Sequence, residues 1–330
     1  MSPWSLGIDV AKEALDACLL LDTGKFKHRR FPNHAEGHAE GHAALLAWTQ
    51  QLGAPTVHAC LEATGTYGEA VARFLHAQGQ TVSVLNPLVV VNYGRSQLRR
   101  AKTDRVDAKL LAQSAQTQHP AAWTPPPVEL RELQALIRRR EALEQRRQME
   151  RNRLAAATHP APVQASLEAH LTYLQEALEA TEQAIREHLD QHPGLKKQVE
   201  LLNSIPGIGE TTAIWLLAEL GDVKRFRGAR QVSAFAGLTP AKEDSGQAQR
   251  GTGSMSKIGS GRLRKALYFP ALSALRFNPV VKEFGVRLQG KGKPKMVVVG
   301  AAMSKLLQLA YGVLKSGKKF TAVSALVGTG

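Results

Sequence analysis

Cysteine is nearly absent from this chain of 330 residues. Only Cys18 and Cys60 occur, and neither stands in a CxxC pair or a Cys/His cluster. That spacing argues against a disulfide framework and a structural zinc site, and it fits a reducing cytoplasm. Acid is scarce relative to base. Lysine and arginine number 43 against 28 aspartates and glutamates, a formal net charge of +15. A surplus of this size points to a polyanion, with nucleic acid the first candidate. Long apolar runs are also missing. The most apolar late stretch, Met296 to Leu314, is broken by Lys305 and Gln308, so an amphipathic core helix is expected and no membrane span. The opening MSPWSLGIDV has no basic segment ahead of an apolar run, so no signal peptide is expected. What remains is 43% hydrophobic and 22% charged, enough for one large core or two moderate ones and unlike a disordered composition.

The first ~115 residues alternate strand and helix patterns. Residues 4–10, 14–21 and 25–31 read as strands, with a turn at Asp22-Thr23-Gly24. A helix follows over 34–52, whose AEGHAEGH echo is too short for a structural repeat. Then come a strand at 56–62, a helix at 67–78, a strand at 81–85 stopped by Asn86-Pro87, and a helix at 103–116. The proline-rich QHPAAWTPPP at 118–127 marks a boundary. Beyond it the pattern is helical. Leu171, Leu174, Leu178, Thr181, Ile185 and His188 form a heptad seam, and a companion helix opens with Leu130, Leu133, Leu136 and Ile137. With Pro160 and Pro162 between them, they predict a helical coiled-coil hairpin over 126–192 that offers a dimer seam. A mainly α region follows over 193–330. The expected domains are thus 1–125, 126–192 and 193–330.

Four acids stand out by placement. Asp9 ends the first strand in GIDVAKE, and Glu62 ends the fourth in LEATGTY. Asp104 and Asp107 lie three apart in KTDRVDAK, on one face of a helix. Two strand ends and one helix turn can converge at a sheet edge. Carboxylates gathered there repel one another unless a cation neutralises them, which suits Mg²⁺, two ions per site. Each acid alone has a plainer reading: a strand-end or loop acid, or, for Asp104, a helix N-cap. The combination with an opening βββαβ pattern resembles the ribonuclease-H-like fold, in which those positions carry metal ligands.

A second cluster lies in the last third. SIPGIG (Ser204 to Gly209) resembles the turn of a helix-hairpin-helix element, with Gly207 and Gly209 offering backbone N–H groups to a phosphate. The stretch 241–267 is rich in small residues and cations: Lys242, Arg250, Lys257, Arg262, Arg264 and Lys265. A serine there could attack a phosphate in a cationic surround. Local chemistry leaves Ser245, Ser254, Ser256 and Ser260 equally eligible. Further phosphate contacts are expected from Lys102 and from a basic stripe of Arg138, Arg139, Arg140, Arg146, Arg147, Arg151 and Arg153, with Lys291, Lys293, Lys295, Lys315, Lys318 and Lys319 as weaker candidates.

Seven ordered motifs (GIDVAKE, EATGTY, KTDRVDA, SIPGIGE, FAGLTP, the Ser-Gly pair before RGTGSMSKIG, and LRKALY) resemble the DEDD transposases of the insertion-sequence one-ten family over nearly the whole length. The resemblance implies a RuvC-like N-terminal domain with Asp9, Glu62, Asp104 and Asp107 as its catalytic, metal-holding acids. It implies a C-terminal Tnp domain with Ser245 as nucleophile, forming a phosphoserine link to DNA. The implied partners are donor and target DNA, a structured guide (bridge) RNA that carries sequence choice, and further copies in a homodimer or homotetramer. The implied location is the bacterial cytoplasm. Two rivals stand beside it: a Holliday-junction-type endonuclease that uses metal-activated water and no serine, and a catalytically dead nucleic-acid-binding remnant.

Overall fold

The computed structural model describes residues 4–34, 38–63, 65, 67–98, 103–240 and 255–322. The chain divides into two compact units, Met1–Pro125 and Pro126–Gly330.

The first unit is a mixed five-stranded sheet with helices. Its elements run β1 (Trp4–Val10), β2 (Ala14–Leu20), β3 (Phe26–Pro32), α1 (His38–Gln51), β4 (Val57–Glu62), α2 (Tyr67–Ala77), β5 (Thr81–Leu85), α3 (Pro87–Ser96) and α4 (Asp104–Gln118). The strand order is β3-β2-β1-β4-β5. β1 pairs antiparallel with β2 and parallel with β4, and β4 is parallel to β5. β2 is buried at every position, as a near-continuous apolar run requires. β3 is the charged edge, KHRR, which discourages pairing with another chain.

Two local features differ from the sequence expectations. Asp104 does not cap α4. Thr103 does, its hydroxyl accepting from the N–H of Val106, and Asp104 is the first helical residue. The sequence reading also places no helix after β5, where it takes Asn86-Pro87 only as the stop of the strand. Yet Asn86 caps α3, accepting from the N–H of Leu88, and Pro87 fills its first position.

The proline-rich stretch is pinned to the sheet rather than hanging between units. Trp123 donates its N–H to the Val82 carbonyl at 2.7 Å. The Ser83 hydroxyl lies 2.9 Å from the Ala121 carbonyl and 2.8 Å from Nε2 of the buried His58.

The second unit is helical: α5 (Val128–Ala156), α6 (Ala161–Gln191), α7 (Pro193–Asn203), α8 (Glu210–Leu220), α9 (Ala229–Phe235), α10 (Gly261–Phe277), α11 (Pro279–Gly290) and α12 (Lys295–Ser316). α5 and α6 pack together as a hairpin. Its base enters the main core, where Leu130, Leu133, Ile137, Ile185 and Leu189 join Leu202, Leu217, Leu267 and Leu306. Farther out Leu143, Leu174 and Leu178 form their own cluster. Leu174, Leu178 and Ile185 of the expected heptad seam are buried within the chain, where they join α6 to α5. α12 is long and apolar enough to cross a membrane by length and composition, with mean hydropathy 1.6, but 56% of that window is buried in the protein. Both cysteines are buried, which pushes the thiol of Cys18 up to about 11 and that of Cys60 up to about 12.

Candidate active site

The acids of the first unit are placed by two neighbouring strands and one helix. Asp9 stands near the end of β1 and Glu62 ends the adjacent parallel β4. The β1–β4 register pairs Ile8 with Leu61, so the next step along both strands reaches Asp9 and Glu62. Asp104 and Asp107 lie in the first turn of α4, which packs across β1, β2 and β4.

Gly7 makes this approach possible. A Cβ built on it would stand 1.9 Å from the Ala108 carbonyl oxygen and 2.3 Å from the Ala112 nitrogen. Only glycine lets the α4 backbone lie so close to β1. Asp9, two residues on, shares the sheet face of Gly7. The helix turn carrying Asp107 is therefore brought to the face that carries Asp9.

Electrostatics record the convergence. Burial, followed by the charges of Asp107, Asp104, Glu62 and Asp16, pushes the Asp9 carboxyl up to about 6. Such a group resists ionisation at a point where four other acids press on it. Among the described residues, no three acid, histidine or cysteine side chains stand close enough to hold a metal ion as placed. The donor set nevertheless fits a hard divalent cation in chemistry. All four are carboxylates, and their mutual repulsion is what a cation relieves.

Sequence reasoning missed Asp16. It pairs directly with Asp9 across β1 and β2, on the same face. His28 Nε2 lies 3.0 Å from its Oδ1, and the Arg30 guanidinium 3.6 Å from its Oδ2. The available signal was one acid in the middle of an otherwise apolar strand, ALDACLL.

In the second unit the serines separate. Ser260 caps α10, its hydroxyl accepting from the N–H of Leu263. The Ser256 hydroxyl lies 3.3 Å from that of Thr239. Both have structural tasks. Ser245 and Ser254, with Lys242 and Arg250, fall outside the described residues, as does Lys102 in the first unit. The chain on either side of 241–254 is pinned together: Pro240 bridges Met255, and Ser256 donates its N–H to the Thr239 carbonyl.

The cations also sort themselves. Arg264 turns inward and donates to the carbonyls of Ala236 and Gly259. Lys265 pairs with Glu141 at 2.7 Å, and Arg262 lies 3.6 Å from Glu219. Lys257 is exposed, with φ of 55°. On α5, Arg140 pairs with Glu182, Arg147 with Glu144 and Arg153 with Glu150. Arg139, Arg146 and Arg151 are exposed, while Arg138 is half-buried. The expected stripe is therefore a mixture of one ion pair across the hairpin, Arg140 with Glu182, two pairs within α5, and solvent-facing cations. Gly207, at φ of 101°, is required by packing: a Cβ there would meet Ala274 of α10 at 2.8 Å. Gly209 is exposed and precedes α8, with no side chain capping that helix.

Two family models divide the chain between them. A DEDD transposase model of the IS110 type matches residues 6–159, and a model described as transposase of the IS116/IS110/IS902 family matches 199–285. The pilin gene-inverting protein of Moraxella bovis is 32% identical over 97% of this chain and 98% of its own. The chain belongs to the IS110 family of transposases. A transposase for insertion sequence element IS1111A from Coxiella burnetii is 26% identical over 82% of this chain and 78% of its own. A solved structure of T. thermophilus RuvC with a Holliday junction substrate covers 37% of the chain at 12% identity and a TM-score of 0.30, a likeness too slight to bear on the reaction. As a transposase the protein acts on DNA, in keeping with its net charge of +15. The N-terminal match contains Asp9, Glu62, Asp104 and Asp107, and the C-terminal match contains Ser245.

Proposed function

We propose that this transposase cuts and rejoins DNA with two half-sites: the carboxylates of the first unit holding Mg²⁺, and Ser245 of the second acting as nucleophile. The observation that carries the reading is the placement of Asp9 and Glu62 at the ends of the adjacent parallel strands β1 and β4, with Asp104 and Asp107 in the first turn of α4, which packs across both strands. When bound, a divalent cation supplies charge neutralisation at the attacking and leaving oxygens of a phosphodiester. Asp9, Glu62, Asp104 and Asp107 would hold it. Gly7 sets their spacing, and Asp16 is kept beside Asp9 by His28 and Arg30.

Ser245 Oγ would attack phosphorus, form a phosphoserine ester and release a 3′-hydroxyl, which takes the displaced proton. The reverse attack by a 3′-hydroxyl would restore the serine and join the new strand. Ser245 is favoured over its neighbours because Ser256 and Ser260 are held in structural hydrogen bonds and because the family motif falls on it. The ribonuclease-H-like reading of the sheet, guide-RNA pairing, and assembly into dimers or tetramers in which one copy's serine meets another's carboxylates belong to the same proposal.

The experiment is excision and insertion of a marked element with Asp9→Ala. The proposal requires both reactions to be lost while DNA binding persists. Unchanged excision by Asp9→Ala would remove the metal site from the account.

A further inference from the structure

α10 presents two large rings to solvent on a cationic stripe. Phe269 is 74% exposed and Phe277 71%, values unusual for phenylalanine. The opposite face, with Leu263, Leu267, Ala271 and Ala274, is buried in the core. At 100° per residue, Arg262, Phe269 and Arg276 repeat every seven positions and form one stripe, with Phe277 beside it. The helix carries no acidic residue. Glu219 and Glu141, from neighbouring helices, lie beside Arg262 and Lys265.

The Phe269 ring is braced from one side, and the backbone that carries Phe277 is anchored. Tyr268, packed on the core, meets Phe269 edge-on at 5.2 Å and 80°. Phe277 ends the helix. The next residue, Asn278, is fully buried, caps α11 and donates to the Pro206 carbonyl of the PGIG turn. That turn seats Gly207 on Ala274, one helical turn from Phe277.

We infer that the exposed face of α10 is a stacking platform for an unpaired DNA strand, with Phe269 and Phe277 taking bases and Arg262 and Arg276 facing the phosphates. The inference rests on the transposase reading, which makes DNA the partner. An exposed ring alternating with cations suits a strand whose bases are free. In a duplex those bases are already stacked on one another. A second copy of the chain suits the face poorly. The core of a protein interface is depleted in charge, whereas here like charges would face one another across it.

The test uses the full-length protein and fluorescent oligo(dT), oligo(U) and a duplex of equal length. Phe269→Ala with Phe277→Ala should weaken oligo(dT) binding at least about ten-fold. The salt slope should stay unchanged, because no phosphate contact is lost. Duplex affinity should change less than two-fold. Arg262→Gln with Arg276→Gln should flatten the salt slope. Phe269→Trp should keep the affinity, and the emission it adds should be quenched by oligo(dT). Unchanged oligo(dT) binding by the double alanine variant overturns the proposal. So does a loss of oligomeric state in place of oligo(dT) affinity, which would make the face a contact between copies, and so does tighter binding of oligo(U) that depends on the same rings. Ser245→Ala should bind oligo(dT) normally. Failure of the platform and failure of the serine chemistry are therefore separable.

Discussion

Gly7 and Ala108 are in backbone contact: a methyl group on Gly7 would stand 1.9 Å from the Ala108 carbonyl oxygen. The colliding atom belongs to the backbone, so no side-chain change on α4 can make room. Gly7→Ala should lower stability by at least the ~1–3 kcal/mol typical of overpacking. It should also move the start of α4 away from Asp9. We expect a lower melting temperature together with lost strand cleavage, and no rescue by Ala108→Gly. Gly53→Ala serves as a control, because its φ of 83° strains alanine but nothing lies within 4 Å. That variant should lose stability and keep activity.

The Asp9 carboxyl gives a pH signature in metal-free protein. Its folded value, about 6, lies above the ordinary 3.8. A raised value means that folding favours the protonated form. The stabilisation is full below pH 4 and is lost as pH rises through 6. Thermal denaturation in chelator should show this decline, and Asp9→Asn should flatten it and melt higher at pH 7. Mg²⁺ should raise the melting temperature of the native protein above pH 6 and leave Asp9→Asn unmoved. A native protein indifferent to Mg²⁺ at pH 7 would count against the carboxylate site.

Arg264 clamps the loops at Ala236 and Gly259, and we predict that this task takes it out of the DNA contacts. Its Nη1 donates to the Ala236 carbonyl at 2.9 Å and the Gly259 carbonyl at 3.1 Å. Charged hydrogen bonds of this kind contribute ~1.5–3 kcal/mol. Arg264→Ala should therefore lower the melting temperature while leaving the salt slope of DNA binding unchanged. A reduced slope would return Arg264 to the DNA contacts.

The hairpin offers a separate check. Leu174 is 1% exposed and packs on Leu143 and Leu178 within one chain. Leu174→Ala should cost ~2–5 kcal/mol. The loss should not depend on protein concentration, and the oligomeric state should be unchanged. A concentration-dependent loss would put the seam between copies.

Much of this was legible in the sequence, for physical reasons. Strands ending in a lone acid, such as GIDV and CLE, are visible because burial makes them apolar runs. The α4 acids are visible because three-residue spacing puts both on one face. Other features depend on tertiary context. Asp16 has no local signal beyond its apolar neighbours, because its partners His28 and Arg30 come from another strand. The task of Gly7 is set by a helix a hundred residues away. α3 was hidden because its Asn86-Pro87 cap is also the stop of β5. The heptad seam was legible as a seam, but periodicity cannot say whether its partner lies in the same chain.

The central claim joins the carboxylates to one serine, and trapping the covalent intermediate tests it most directly. End-labelled donor DNA would be incubated with protein and Mg²⁺, denatured, and resolved by size. The account predicts a protein–DNA adduct with the native protein and with Ser254→Ala, none with Ser245→Ala, and none with Asp9→Ala. Strand cleavage that persists in Ser245→Ala, with no adduct in any variant, would contradict it and favour hydrolysis by water.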